Sequence, residues 1–220
     1  MERGLLTDAV GTLIGVREAV PEVYARLAAR HGVSAEPGEI ASRLRGIAIG
    51  PPPLEGLAPA EIPEREREGW REVVRAALGD EAADGTCFDA LWEHYAGPGA
   101  WRTLAGAEAA LRGARSRGFR LGLLSNMDSR LPALLESLGL ARLFDAIVLP
   151  STHVVAKPDP AAFLAALDAL GVSIGRALYV GDRERDCLEA ARDAGLTALR
   201  YGPGGELPSW DRLAGRLDTL

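Results

Sequence analysis

Five short apolar runs punctuate the chain, none of them alternating and each closed by polar, Gly or Pro residues. They cover residues 4–8, 119–126 (FRLGLLSN), 144–151 (FDAIVLPS), 176–182 (RALYVGD) and, more weakly, 196–201 (LTALRY). A strand buried on both faces has this signature, because neither face needs polar residues. Between the runs, apolar positions recur at helical spacing over 105–117, 130–138, 160–170 and 186–194. Gly118, Gly139, Gly171 and Gly195 follow these stretches as C-terminal helix stops. Asp159-Pro160 reads as an N-cap and first helical turn. Strands alternating with helices predict an α/β fold, a doubly wound parallel sheet with right-handed crossovers.

Residues 16–97 break that rhythm and read as all-helical. Over 64–78, Trp70, Val73, Val74, Ala77 and Leu78 share one face, and Gly79 ends the pattern. The run PEREREGWRE reads as an exposed helix face. The stretch AGPGAW, 96–101, reads as a hinge. The expected organisation is therefore a core of 1–15 and 98–220, with a helical cap of 16–97 inserted after the first strand.

Composition narrows the function classes. The 220 residues are 47% hydrophobic and 25% charged, as in ordinary globular proteins. A formal charge of −6 offers no broad basic face, which argues against nucleic acid as a partner. No apolar run reaches membrane-spanning length, and nothing near the amino terminus reads as a signal peptide, so a cytoplasmic protein without membrane contact is expected. Cys87 and Cys187 suggest neither a disulfide framework nor a zinc site, and Cys187 reads as a small buried side chain. Trp70, Trp92 and Trp101 read as packing residues, while Arg43 and Arg45 read as a solvated helix face. His31, His94 and His153 show no ligand-like spacing. The pattern leaves the oligomeric state open.

Lysine occurs once, at Lys157, in a chain whose other basic residues are all arginine. That position matters because ligands of open parallel sheets bind beyond the carboxyl ends of the strands. The first run ends in Asp8, within LLTDAVGTL, and the second in Ser125-Asn126. The loop after the third carries Lys157-Pro158-Asp159-Pro160, and the fourth ends in Gly181-Asp182, with Asp186 four residues on. Three carboxylates facing one lysine require either a divalent cation or a protonated acid. Hard oxygen donors of this kind suit Mg²⁺.

The stretches DAVGT, LLSN, AKPDP and VGDRERD resemble, in order, the four motifs of the haloacid dehalogenase superfamily. The inserted helical region resembles the cap of the subgroup whose cap follows the first motif. From WRTLAGAEAALR through KPDPAAF the chain is also similar to the branch called haloacid-dehalogenase-like hydrolase domain-containing type 3. The resemblance implies a Rossmann-like core and a small anionic substrate. By the same resemblance Asp8 is a nucleophile that forms a covalent intermediate, Ser125 hydrogen-bonds the transferring group, and Lys157 neutralises its charge and orients Asp8. Thr12 and Asn126 position the site. The resemblance further implies Mg²⁺ held by Asp8, the main-chain oxygen of Val10 and Asp182, with Asp186 in support.

Val10 departs from the pattern. Phosphatases of the superfamily carry a second Asp there, which protonates the leaving oxygen and then activates water. Valine does neither, and general acid–base help is worth roughly 10²–10⁴ in rate. Three readings stay open. The chain is a Mg²⁺-dependent phosphohydrolase whose acid–base group comes from elsewhere, or whose leaving group needs no proton, as in an acyl phosphate. Alternatively it is a metal-independent 2-haloacid dehalogenase, since halide leaves unprotonated. Those enzymes lack the acidic fourth motif, however, and carry a tyrosine where Phe163 falls. The third reading is a degenerate member that binds a ligand or partner without turnover. The resembling phosphonoacetaldehyde hydrolases need a cap lysine as Schiff base, and this cap has none.

Overall fold

The computed structural model describes residues 2–47, 49–183 and 187–218. In chain order the elements are β1 (Arg3–Thr7), β2 (Ile14–Val16), α1 (Val20–Arg30), α2 (Pro37–Arg45), α3 (Ile62–Leu78), α4 (Asp80–Asp84), α5 (Thr86–Ala96) and β3 (Trp101–Thr103). They continue with α6 (Ala107–Ser116), β4 (Phe119–Leu124), α7 (Leu131–Ser137), β5 (Ala146–Val148), α8 (Pro150–His153), α9 (Pro160–Leu170), β6 (Ala177–Gly181), α10 (Glu189–Asp193), β7 (Thr197–Arg200) and α11 (Leu213–Leu217).

Two units result. The first holds residues 1–15, 103–127 and 131–220; the second holds 16–102 together with 128–130. In the first unit a five-stranded sheet runs β5-β4-β1-β6-β7, and its neighbouring strands are parallel. After β1 the chain builds outward on one side through β4 and β5. It then crosses back to build β6 and β7 on the other. The order therefore reverses at β1, and the carboxyl end of β1 is the switch point where such sheets open a crevice.

Burial explains the elements. Leu5 and Leu6 in β1 and Leu121 and Leu123 in β4 are fully buried. At Gly122 a Cβ would stand 2.5 Å from Leu6 Cδ2 and 2.9 Å from Leu170 Cδ1, so only glycine lets α9 lie this close to the sheet. Helix α9 starts where its signals stand: Asp159 accepts the Ala161 N–H at 2.8 Å, Pro160 occupies the first turn, and Gly171 closes it at φ +64°. The third apolar run behaves differently from its expectation. Only Ala146–Val148 is strand, and Pro150 opens α8. Proline has no N–H for a sheet ladder but fits a first helical turn.

The second unit has its own core of Val23, Tyr24, Leu27, Ile40, Val74, Phe88 and Leu91, among others. The expectation that PEREREGWRE is an exposed face fails at Glu66, which is 2% exposed. Its Oε2 accepts the Ser129 N–H at 3.0 Å and the Ser129 hydroxyl. Asp128 accepts from Trp70 Nε1 at 2.7 Å and from Arg130, whose guanidinium lies 3.6 Å from the centroid of the Trp92 ring. Arg43 stays exposed, as expected of a solvated helix face, and also donates to the Ala77 carbonyl at 3.0 Å. Among the described residues, no helix is long and apolar enough to cross a membrane.

Candidate active site at the carboxyl ends of the strands

Every group below belongs to the first unit. Asp8 directly follows β1 and is 6% exposed; its N–H continues the sheet ladder to the Val180 carbonyl at 2.8 Å. Its Oδ1 accepts the Ala9 N–H at 2.7 Å, and its Oδ2 lies 2.7 Å from Lys157 Nζ. Lys157 is 5% exposed, so this is a buried ion pair. Such a pair persists only where further hydrogen bonds satisfy both ions. For Lys157 these include the Tyr179 hydroxyl, an acceptor at 3.2 Å.

The turn after β1 carries the rest of the first motif. Gly11 holds φ +84°, and a Cβ there would meet Asp182 Oδ2 at 2.3 Å. Glycine thus satisfies both the turn and the close approach of a carboxylate. Thr12, fully buried, donates its hydroxyl to Asp182 Oδ1 at 3.2 Å. Trp210 Nε1 donates to the Thr12 carbonyl at 2.9 Å, tying the loop to the carboxyl-terminal region. Val10 points outward, 40% exposed, and brings no titratable group.

On the other side of β1, Ser125 and Asn126 follow β4. Ser125 is buried, and its hydroxyl accepts the Met127 N–H at 3.1 Å. The Asn126 amide clamps the Lys157 peptide from both sides. It donates Nδ2–H to the Lys157 carbonyl at 2.7 Å and accepts the Lys157 N–H at 2.8 Å. The second motif therefore fixes the backbone from which the lysine reaches Asp8. Asp186 lies outside the described residues.

The electrostatics follow from crowding. Burial, then the charge of Asp8, holds the Asp182 carboxyl above its ordinary range, although Thr12 and Lys157 oppose the shift. Burial and the neighbouring Asp8 push the Tyr179 phenol well above 10.0, so it stays protonated. Burial also raises the Cys187 thiol, against the pull of Lys157. The carboxylate oxygens of Asp8 and Asp182, two negative groups beside one committed ammonium, form a hard-oxygen donor set that can hold a divalent cation. Among the described residues, no cluster of three or more His, Cys, Asp or Glu forms a metal-binding group.

Sequence reading passed over Tyr179, Cys187 and Trp210 as contributors to this site. Tyr179 and Cys187 sit in apolar surroundings whose pattern reports burial and not hydrogen bonding. A 240 Å³ cavity elsewhere, lined by Ala109, Gly113, Arg117, Trp210, Asp211 and Leu217 among others, includes none of Asp8, Ser125, Lys157 or Asp182.

The sheet order and the four motif positions place the chain in a class, and comparison fixes which one. The sequence model of haloacid dehalogenase-like hydrolases matches residues 2–195, and the chain belongs to that family. Among curated proteins it is 35% identical to haloacid dehalogenase-like hydrolase domain-containing protein 3 of Mus musculus, over 83% of this chain and 75% of that one. It is 33% identical to a phosphoglycolate phosphatase of Cereibacter sphaeroides, over 93% of this chain and 90% of that one. Among solved structures, a putative beta-phosphoglucomutase from Thermotoga maritima superposes over 100% of both chains with a TM-score of 0.76, at 21% identity.

Proposed function

We propose that this protein is a Mg²⁺-dependent phosphohydrolase. It acts on a small phosphorylated metabolite through an aspartyl-phosphate, and its substrate has a leaving group that departs without a proton. The observation that carries the reading is the buried Lys157–Asp8 contact of 2.7 Å beside the crowded Asp182 carboxyl. A haloacid site needs a nucleophile and a cation. It needs no divalent cation, whereas the half-buried Asp182 carboxyl, raised in part by the charge of Asp8, offers a second hard oxygen ligand for one.

In this reading Asp8 attacks phosphorus: an Asp8 oxygen forms the new O–P bond, and the leaving oxygen departs with its electron pair. Lys157 presents a compact positive charge to the phosphoryl oxygens and keeps Asp8 turned toward them. Ser125 offers its hydroxyl to a phosphoryl oxygen, while Asn126 holds the lysine's backbone and Thr12 holds Asp182. Water then attacks phosphorus, the Asp8 O–P bond breaks, and phosphate leaves carrying the protons of the water, which restores the Asp8 carboxylate. Asp8, the Val10 main-chain oxygen and Asp182, with Asp186, would hold the cation, which supplies charge neutralisation and polarises a phosphoryl oxygen. With valine at position 10, no side chain there protonates the leaving oxygen. Acyl phosphates, whose carboxylate leaves unaided, are favoured over alkyl esters.

The test is a panel of acyl phosphates, phosphate esters and 2-haloacids assayed with Mg²⁺ and with EDTA. Phosphate release that EDTA abolishes, and that falls at least about 10³-fold in Asp8→Asn, is expected. Halide release that persists in EDTA points instead to dehalogenation. Equal phosphate release by wild type and Asp8→Asn removes Asp8 as nucleophile.

A further inference from the structure

Lys157 and Asp8 are held by two further side chains. The Lys157 ammonium has three N–H donors. One goes to Asp8 Oδ2 at 2.7 Å and one to the Tyr179 hydroxyl at 3.2 Å. The Cys187 thiol donates to the same Asp8 Oδ2 at 3.7 Å. The four groups form a chain of contacts centred on the ion pair: the phenol holds the ammonium, the ammonium meets the carboxylate, and the thiol holds the carboxylate from its other side. Tyr179 and Phe163 are fully buried and Cys187 is 3% exposed, so no member of this layer can exchange its partner freely for bulk water.

The surroundings are shaped around the phenolic oxygen. Gly181, two residues along β6 and on the same face, stands where a Cβ would be 2.9 Å from the Tyr179 oxygen. The ring of Phe163 meets Tyr179 edge-on, with centroids 5.1 Å apart and planes at 90°. A phenylalanine at position 179 would fill the same apolar volume, so packing alone does not account for the hydroxyl.

We propose that Tyr179 is a positioning residue for the reaction: with Cys187 it locks the Lys157 ammonium and the Asp8 carboxylate in one mutual orientation. The assignment rests on the phosphohydrolase reading for its effect on rate, but not for its effect on the lysine. The locked orientation leaves Asp8 Oδ2 occupied by Lys157 and Cys187 and Oδ1 by the Ala9 N–H. The carboxylate cannot rotate without breaking a bond at both oxygens. Misplacement of a reacting group by about 1 Å can cost on the order of 10²-fold in rate.

The chain's single lysine gives a readout independent of turnover. In protein labelled with ¹⁵N-lysine, the one ammonium signal belongs to Lys157. Tyr179→Phe is expected to speed exchange of its protons roughly tenfold or more, the factor that goes with one lost hydrogen bond. The same variant is expected to lower kcat by about 10- to 100-fold while KM moves less than about threefold. Cys187→Ala lowers kcat comparably, and Cys187→Ser, which keeps a donor and an acceptor, restores most of it. The Tyr179→Phe/Cys187→Ala double variant loses no more than about threefold beyond either single change, because each loosens the same Lys157–Asp8 pair. Unchanged proton exchange in Tyr179→Phe overturns the proposal, as does a double variant whose losses multiply. If wild type releases no phosphate from any substrate, the phosphohydrolase reading fails, and the exchange rate alone decides whether Tyr179 holds the lysine.

Discussion

At the scale of single residues, the site depends on what is absent as much as on what is present. Gly11 has no Cβ because Asp182 occupies that space, and its φ of +84° is one that other residues adopt only with strain. Gly11→Ala should therefore do two things at once. It should destabilise the first unit by about 1–3 kcal/mol and, by pushing the Asp182 carboxylate aside, lower hydrolysis by roughly 10²-fold or more. Thermal unfolding and steady-state assay of the same preparation check both; a variant with lowered stability and undiminished rate would separate Asp182 from the chemistry. Residue identity made part of this legible. A carboxylate closing an apolar run, a Gly-Thr turn and a lone lysine all stand out in the sequence. Tyr179 did not, because a strand buried on both faces shows no alternation that would single out its hydroxyl.

At the scale of elements, punctuation was easier to read than charge. Asp159-Pro160 and Gly171 bound α9 as their chemistry requires, whereas the third apolar run is longer than its strand because Pro150 is the head of α8 and not the tail of a strand. The acidic-basic run of α3 misled more seriously. A Glu among alternating charges reads as solvated, yet Glu66 is buried, since its partner is a hydroxyl and amide sixty-three positions away. Two carboxyls of this unit respond to pH in opposite senses. Burial raises Glu66 above 4.5 despite the hydrogen bonds from Ser129, so its ionised form weighs against the folded state. Its favourable contribution is complete below about pH 4.5 and is lost as pH rises through the raised value. For Asp128, burial also acts upward, but the bonds and charge of Arg130, with help from Trp70, outweigh it and hold the carboxyl below 3.8. Its contribution is complete above that value and is lost as pH falls through the lowered one. Glu66→Gln, which keeps an acceptor for Ser129, should raise stability at pH 7 relative to wild type and change little at pH 4. Asp128→Asn should cost about 3 kcal/mol at pH 7, because it leaves the Arg130 cation without its partner, and progressively less as pH falls below 3.8 and through the lowered value. Urea unfolding across this range, followed by the fluorescence of Trp70, Trp92 and Trp101 in the same unit, distinguishes the two signs.

At the scale of the whole molecule, the parallel sheet turns charge repulsion into a stability term, one that under the phosphohydrolase reading a bound cation would reverse. The switch point at β1 sets the buried Asp8 at one strand end near the half-buried Asp182 at its neighbour's, and folding must carry that repulsion. A cation that binds the folded chain and not the unfolded one adds RT ln(1 + [L]/Kd), about 2.7 kcal/mol at a hundredfold excess over Kd. For a chain of this length that is a rise in melting temperature of roughly 5–10 °C. Under the phosphohydrolase reading, calorimetry should find this rise with Mg²⁺ in wild type. In Asp182→Asn the order reverses: the cation-free variant melts at or above cation-free wild type, because the carboxylate that folding had crowded against Asp8 is gone, and added Mg²⁺ moves it little. A dehalogenase site would show no Mg²⁺-dependent rise in either protein. A rise of equal size in both would place the cation away from Asp182. The reversal is the sharper criterion, since simple loss of a buried side chain lowers stability with and without Mg²⁺ alike, and only the removal of a repelling carboxylate raises one while abolishing the gain in the other.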